Sequence, residues 1–434
     1  MMERYKEYKD SGAKWLGEIP SHWEVRKMKY TFSERSQKGF PQEPLLASTQ
    51  THGVILKSQY ENRTVEAIKS LETLKLVEIG DFVISLRSFQ GGLEYAYNRG
   101  IISPAYTILT PTHIKADYFK YLSKSDIFIS LLKSTVTGIR EGQNIDYNKL
   151  KDNLLPIPSE KEQISIGSYL DSATSEIDKA IAMQQKMIDL LNERKQIIIQ
   201  NAVTKGLDEN VEMKESGVEW IGRIPKHWEV LNFRHLIKIL TDFTANGSFG
   251  DLASNVKYLD IKDYARLVRL TDLRNDFDEE KGVWVNKSSY EYLAKSELHG
   301  GELLIANVGA YSGLPWIMPN VSFRTTLAPN MFMLKLQDVI TGYIYYLLSS
   351  SMYFAHLQMV ASATAQPKLN KNNIRELNIV LPPKSDQQQI VSYLDSEMQK
   401  FDTAITNCQR QITLLQERKQ IIINEVVTGK VRVS

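Results

Sequence analysis

One stretch limits this chain more than any other, and it occurs twice. Around Leu170 the sequence reads YLD…IDKAI…LLNERKQIIIQNAVT, and around Leu394 it reads YLD…FDTAI…LLQERKQIIINEVVT. The run ERKQIII is identical in both copies, from Glu193 to Ile199 and from Glu417 to Ile423. Apolar residues recur at alternating steps of four and three. The first copy gives Leu170, Ile177, Ile181, Ile188, Leu191 and Ile198; the second gives Leu394, Met398, Phe401, Ile405, Ile412, Leu415 and Ile422. That spacing keeps a narrow apolar stripe facing a partner helix, the seam of a coiled coil. Gln184 and Cys408 fall mid-seam at equivalent positions, where the helices tolerate or use a less apolar residue. After Gly167 neither copy is broken by Pro or Gly. Each helix can therefore run roughly 40 residues, or about 60 Å at about 1.5 Å per residue. Two long helices with matching seams in one chain most simply pack on each other.

A second repeat lies outside the helices. Ser11 to Val25 (SGAKWLGEIPSHWEV) matches Ser216 to Val230 (SGVEWIGRIPKHWEV) at an offset of 205, while the helical copies are offset by 224. The whole chain is thus a tandem of two halves, and internal repetition of this kind sets the architecture. The expected layout is a lead-in at 1–25, a globular head at 26–158 and a long helix at 159–205. The second half repeats it with a lead-in at 206–230, a head at 231–383 and a helix at 384–428.

The two heads differ from each other. Residues 26–155 hold short β-branched runs such as Val77 to Ser85 and Tyr106 to Leu109, broken by Gly91-Gly92, Gly100 and Pro104. Residues 231–381 hold Val283 to Val285, Glu302 to Val308 and Asn330 to Leu334, broken by Gly300-Gly301, Gly309, Gly313, Pro315 and Pro329. These read as strands joined by turns. An apolar helical patch follows in each, Ala116 to Leu132 and Gly342 to Val360. The fold class expected is α+β: two globular heads and two long helices in an internal pseudo-two-fold repeat. Each head closes on a proline segment, Leu155 to Pro158 and Leu381 to Pro383, which disfavours helix just before it. Ser159 and Ser385 are the expected N-caps, each beside an acidic residue at the positive end of the helix dipole. Gly206 and Gly429 are placed to end the helices in a left-handed conformation.

Bulk properties narrow the class. At 434 residues two or three domains are expected. A composition of 42% hydrophobic and 24% charged residues is that of a globular protein, not a disordered one. Apolar runs fall well short of a membrane span, and the charged start MMERYKEYKD lacks the apolar core of a signal peptide. With one cysteine there is no disulfide framework. The cytoplasm is the expected location. The net charge of +2 is neutral on nucleic acid, because a basic face can be balanced elsewhere.

Catalytic signatures are missing. The sequence has no phosphate loop ending in Lys-Ser/Thr, no Asn/Asp-Pro-Pro-Tyr/Phe tetrapeptide of an adenine methyltransferase, and no Pro-Asp start of a common nuclease motif. The seven histidines are scattered without metal-ligand spacing. His22 and His227 both sit in P-x-H-W-E, and equal residues in both halves suit packing and hydrogen bonding better than one active site.

Together these features resemble the specificity subunit of type I restriction–modification enzymes, across nearly the whole chain. The carriers are the duplicated W-G-x-I-P-x-H-W-E-V lead-in, the ERKQIII helices, and strand-turn stretches such as Gly80 to Glu94 with Ser103 to Thr107, and Gly301 to Gly309 with Ala365 to Asn370. The resemblance implies that the heads are target recognition domains, each reading half of a split, asymmetric double-stranded DNA sequence. It implies that the helices form an antiparallel coiled coil that fixes the gap between half-sites and docks two methyltransferase subunits, with restriction-translocase subunits joining. It also implies no catalysis and no cofactor in this chain: S-adenosylmethionine, ATP and Mg would serve the partner subunits. A spacer of about 60 Å is on the order of two turns of B-DNA at about 34 Å each. A rival reading is a coiled-coil scaffold whose heads bind proteins; an enzyme with an unrecognised site is a third.

Base reading needs Arg or Lys for guanine and Asn or Gln for adenine, presented on loops or helix ends. In the first head the candidates are Arg87, Ser88, Gln90, Arg99, Lys133, Arg140, Gln143 and Asn144. In the second they are Asn307, Tyr311, Ser312, Arg324, Thr325, Gln366, Lys368 and Asn370. The competing reading is solvated loop residues or phosphate contacts, which position without specifying, and Lys133 and Lys368 suit phosphate best. The Gly91-Gly92 pair reads as a tight turn before a phosphate approach.

Overall fold

The structure is a computed structural model that describes residues 3–60, 70–137, 144–275, 277, 281–361 and 367–433. The long helices run Glu160–Lys205 and Lys384–Val427. A capping box starts the first: Glu162 N donates to Ser159 Oγ at 3.4 Å, and Ser159 N donates to Glu162 Oε2 at 3.2 Å. The second begins one residue earlier than the serine expected to cap it. Gln387 N donates to Pro383 O at 3.0 Å, so the cap position is Pro383 and Ser385 lies in the first turn, its hydroxyl donating to Asp386. Both helices stop at a left-handed glycine, Gly206 at φ +78° and Gly429 at φ +74°.

The chain forms two compact units, Met1–Lys186 with Cys408–Ser434, and Met187–Asn407. Each long helix is therefore divided between them: a unit holds one head, the start of one helix and the end of the other.

In the first unit a hairpin, Tyr8–Asp10 with Glu18–Pro20, leads to strand Glu24–Lys27, which pairs antiparallel with Leu154–Ile157. The head thus leaves and returns at one ladder. Inside it a four-stranded antiparallel sheet runs in the order Phe32–Arg35, Thr107–Pro111, Phe82–Ile84, Glu94–Tyr95. Expected as one strand, Val77 to Ser85 is two, Lys75–Val77 and Phe82–Ile84, parted by a turn that buried Asp81 closes by accepting Glu78 N at 2.8 Å. The core joins Trp23, Phe82, Phe119 and Phe128 to Ile166 and Leu170 of the first helix and to Ile423, Val426 and Val427 of the second. Tyr118 donates its hydroxyl to Val427 O at 2.9 Å. Asp178 and Lys419, further from those ends, pair at 2.7 Å, so the helical segments run antiparallel. The C-terminal residues meet the N-terminal ones, with Arg432 N donating to Glu3 O at 2.8 Å and Tyr8 Oη to Gly429 O at 3.1 Å.

The second unit repeats this plan. Its hairpin is Met213–Glu215 with Arg223–Pro225, its closing ladder Glu229–Asn232 with Asn378–Leu381, and its four-stranded sheet Ile237–Asp242, Met331–Leu336, Leu303–Ala306, Pro315–Ile317. It adds a five-stranded sheet in the order Tyr258–Leu259, Val283–Val285, Ala265–Val268, Arg324–Leu327, Glu297–Leu298. Ile199, Ala202 and Val203 share a core with Trp228, Tyr343, Leu394, Met398 and Phe401, and Lys195 pairs with Asp402 at 2.6 Å.

Each apolar helical patch is two helices where one was expected. They are Ala116–Leu122 and Asp126–Ser134 in the first unit, Thr341–Ser349 and Ser351–Val360 in the second. A buried serine makes both breaks: Ser125 and Ser350 accept the amides of Phe128 and Tyr353 and donate to Leu122 O and Leu347 O at 2.7 Å.

Every seam position is sheltered. Leu170, Ile177, Ile188, Leu394, Met398, Phe401 and Ile412 are buried, while Ile181, Gln184, Leu191, Ile198, Ile405, Cys408, Leu415 and Ile422 are half-buried.

Candidate nucleic-acid interface

In the first unit the strand Phe82–Ile84 runs into a short turn, Ser88–Gly91, that carries two exposed candidates, Arg87 and Gln90. Ser88, between them in the sequence, is fully buried and donates to Glu94 Oε2 at 2.6 Å, so it holds the turn and reads nothing. Glu94 is buried too and also accepts from Ser85 at 3.2 Å; burial pushes its carboxyl up against those hydrogen bonds. Gly92, at φ +81°, lies so near Ser123 that a Cβ would stand 2.0 Å from its carbonyl oxygen. The glycine pair thus sits in a packed turn.

Beside this turn stands the tip of a hairpin, Leu46–Thr49 with Gly53–Leu56. Gln50 Nε2 donates to Arg87 O at 3.1 Å and to Gln90 Oε1 at 3.3 Å, and Lys124 Nζ donates to Gly91 O at 2.7 Å. Gln50, Thr51 and His52 are exposed there. These three were not among the sequence candidates; the signal available was a polar tip ending in Gly53 between β-branched runs. Arg99 is exposed but neutralised, pairing with Glu43 at 2.9 Å and Glu78 at 2.7 Å. Lys133 is exposed at the end of helix Asp126–Ser134, and Asn144 begins strand Asn144–Ile145. Arg140, Gln143 and Gln366 lie outside the described residues.

In the second unit the candidates divide. Thr325 and Ser312 are buried framework: Thr325 donates to Leu298 O at 2.9 Å and Ser312 to Pro367 O at 3.1 Å. Neither presents a group to a groove. Asn370 is exposed, but its side chain caps the helix Lys371–Arg375 by accepting from Asn372 N and Asn373 N. Arg324 is exposed and lies over the Tyr264 ring at 4.7 Å, and Arg274 lies over Tyr311 at 4.0 Å. Lys368 is exposed on a bridge to Val308, and Asn307, Lys368 and Asn370 line one cavity.

The lead-in histidines are clasps. His22 Nε2 lies 2.9 Å from Glu162 Oε1, which Trp23 Nε1 also approaches at 3.4 Å; His227 Nε2 lies 2.9 Å from Asp386 Oδ2, with Trp228 Nε1 at 3.1 Å. Both tie a lead-in to the first turn of a long helix. The exposed side of the helices also repeats. Leu190 and Ile197 are 50% and 52% exposed, and their equivalents Leu414 and Ile421 are 47% and 54% exposed. Among the described residues no group of three His, Cys, Asp or Glu side chains could hold a metal ion, and no helix is long and apolar enough to cross a membrane.

A duplicated frame carrying two unlike polar surfaces defines a tandem α+β protein of the two-headed kind. The sequence model described as Type I restriction modification DNA specificity domain matches residues 225–416. A Methanocaldococcus jannaschii chain named for the MjaX type I restriction enzyme specificity subunit is 24% identical, covering 96% of this chain and 96% of its own length. The MjaVIII specificity subunit of the same organism is 24% identical over 82% of this chain and 80% of its own. A solved structure, reported as the structural basis of complex assembly and conformational transition of the type I R-M system, shares the fold. Its TM-score is 0.70 at 14% identity, over 95% of this chain and 99% of that one. Residues 225–416 thus match a type I restriction modification DNA specificity domain, and the chain is similar over nearly its whole length to type I restriction enzyme specificity subunits.

Proposed function

We propose that this chain is the non-catalytic DNA-specificity subunit of a type I restriction–modification complex. Each head reads one half of a split, asymmetric double-stranded target, and the long helices, paired as an antiparallel coiled coil, set the gap. The observation that carries this is the conserved frame with diverged heads within one chain: both units close on the same ladder and core, while their exposed polar surfaces differ. The match of residues 225–416 to a DNA specificity domain favours DNA over protein as what the heads read. In the first head Arg87 and Gln90, steadied by Gln50, are the strongest readers; in the second, Arg324 and Tyr311 are exposed beside stacked partners. Lys133 and Lys368 suit phosphate.

Two methyltransferase subunits dock on the helices. The repeated exposed pairs Leu190 with Ile197 and Leu414 with Ile421 support this, since like faces suit like partners. Restriction-translocase subunits join the same assembly in the cytoplasm. S-adenosylmethionine, ATP and Mg serve those partners. The test is selection from a random duplex library by the chain in complex with its modification subunits. A motif of two fixed half-sites with a constant gap is expected, bound on the order of a thousandfold or more tighter than random duplex at physiological salt. Enrichment of no motif defeats the reading.

A further inference from the structure

A cavity of about 390 Å³ opens in the second unit beside Asn307, walled by Phe243, Phe249, Asn330, Lys368 and Asn372. Asn307 is 8% exposed, and its side-chain oxygen is buried without a hydrogen-bond partner. Its backbone is fully committed, donating to Asn330 O at 3.1 Å and accepting from Leu369 N at 2.9 Å. The backbone of Asn307 is therefore held by two neighbouring segments, while its side-chain oxygen is left without a donor. Leaving such an acceptor empty is unfavourable, so a ligand that satisfies it gains on entering. Phe243 is buried in the wall, whereas Phe249 is 76% exposed. A flat ring with an amino group meets both features, stacking on an aromatic face and donating to the amide oxygen.

We propose that this cavity takes one nucleobase of the DNA half-site, turned out of its stack; the proposal rests on the DNA-reading function above. The depth of Asn307 carries the point. A base that stays stacked offers only its groove edge, which reaches protruding side chains and not an amide this deeply sheltered. The ring must leave the duplex to meet it, as bases do when an enzyme must reach all their atoms. In the first unit the equivalent residue, six positions after the shared sheet glycine (Gly80, Gly301), is Leu86. Leu86 is 51% exposed and offers no acceptor. At this position only the second head offers a side-chain acceptor, and the first half-site is an internal control.

The experiment uses the full chain with its modification subunits and the motif found by selection. Each base pair of both half-sites is mispaired in turn by changing one strand, and the dissociation constant is measured. Turning out an unpaired base avoids the cost of breaking its pair, so one position of the second half-site should bind about tenfold tighter when mispaired. Asn307→Ala and Phe249→Ala should each bring that gain back to near onefold while selectivity at the other positions persists. Phe249 is exposed, so its variant keeps the test open if Asn307→Ala folds poorly. A gain that survives both substitutions belongs to a partner's base pocket and overturns the proposal. So does the lack of any gain in the second half-site while selective binding is intact. Loss of all selective binding by the unaltered complex defeats the functional reading, and the pocket with it.

Discussion

The first and second units are built on one frame and finished differently. Equivalent residues make equivalent bonds. Gln163 Nε2 donates to Pro158 O and Gln387 Nε2 to Pro382 O, each at 2.8 Å. Tyr121 and Tyr346 donate to Asp171 and Asp395 at 2.7 and 2.6 Å. Each sheet is anchored by a buried acid after a glycine, yet the anchors already differ. Asp81 meets Arg35 at 2.7 Å, while Glu302 accepts two backbone amides and lies 3.6 Å from Lys335. Beyond the anchor the heads part: the first has small two-stranded sheets, the second a five-stranded one. The frame sites bind the chain to itself, and the divergent sites are free to bind something else.

The largest break in this comparison is to make the heads alike. Grafting residues 28–153 in place of 233–377 joins the chain at matching ends of the closing ladders, where Lys27 faces Leu154 and Asn232 faces Asn378. The expected result is a target whose two half-sites are copies, with the old asymmetric site discriminated against by about a thousandfold. Selection from a duplex library measures it; an unchanged asymmetric motif would show that the heads do not read separately.

Next in size is the helix surface. Leu190→Glu with Ile197→Glu alters one exposed stripe, and Leu414→Glu with Ile421→Glu alters its copy. If the docking proposed above holds, each double variant should hold one modification subunit against two for the unaltered chain, as counted by native mass spectrometry. Folding should change by less than about 0.5 kcal/mol per site, because these side chains lie at the surface. Retention of two subunits by both variants would move docking elsewhere.

The clasps give a smaller, pH-linked difference. Burial opposes ionisation of Glu162, but hydrogen bonds from His22, Ser159 and Trp23 outweigh it and hold the carboxyl below its ordinary range. Asp386 is likewise lowered, against burial, by His227, Trp228 and Ser385. A carboxyl lowered in the folded chain stabilises it above its unfolded value, about pH 4, and that contribution is lost as pH falls through the folded value. Glu162→Gln should cost about 1–2 kcal/mol at neutral pH and flatten acid unfolding below about pH 4. Asp386→Asn should cost less, because Tyr5 also donates to Glu162 and the second unit has Asn210 where Tyr5 stands. Urea titrations across pH compare them, and equal losses would remove Tyr5 from the account.

How much of this was legible in the sequence follows from range. The long helices depend on periodicity, prolines and terminal glycines, all local, and their ends fell within a residue or so of expectation. The exception, Pro383 in the cap position ahead of Ser385, turned on which carbonyl begins the hydrogen-bond ladder. The breaks at Ser125 and Ser350 fall in short polar stretches, Ser123 to Asp126 and Ser349 to Ser351, with apolar runs resuming on either side, so each patch read as one helix. The candidate surface was less legible because its selection is made at a distance. Ser88 and Gln90 are two residues apart, yet Glu94 draws one inward while Gln50 steadies the other at the surface. Arg99 looks like a reader until Glu43 and Glu78 close on it.

The smallest expected effect tests the equivalence of the frame most directly. Lys195 with Asp402 and Lys419 with Asp178 are the same pair made twice with the copies exchanged: Lys419 is the repeat of Lys195, and Asp402 the repeat of Asp178. Both pairs are partly exposed, so each should contribute about 0.5 kcal/mol or less, falling further as salt rises. Double-mutant cycles with Lys→Ala and Asp→Ala in each unit measure the coupling without the cost of truncation. If the frame is a true repeat, the couplings agree within about 0.3 kcal/mol. A larger gap would mean that the helices, alike in sequence and hydrogen bonding, are strained differently by the unlike heads they carry.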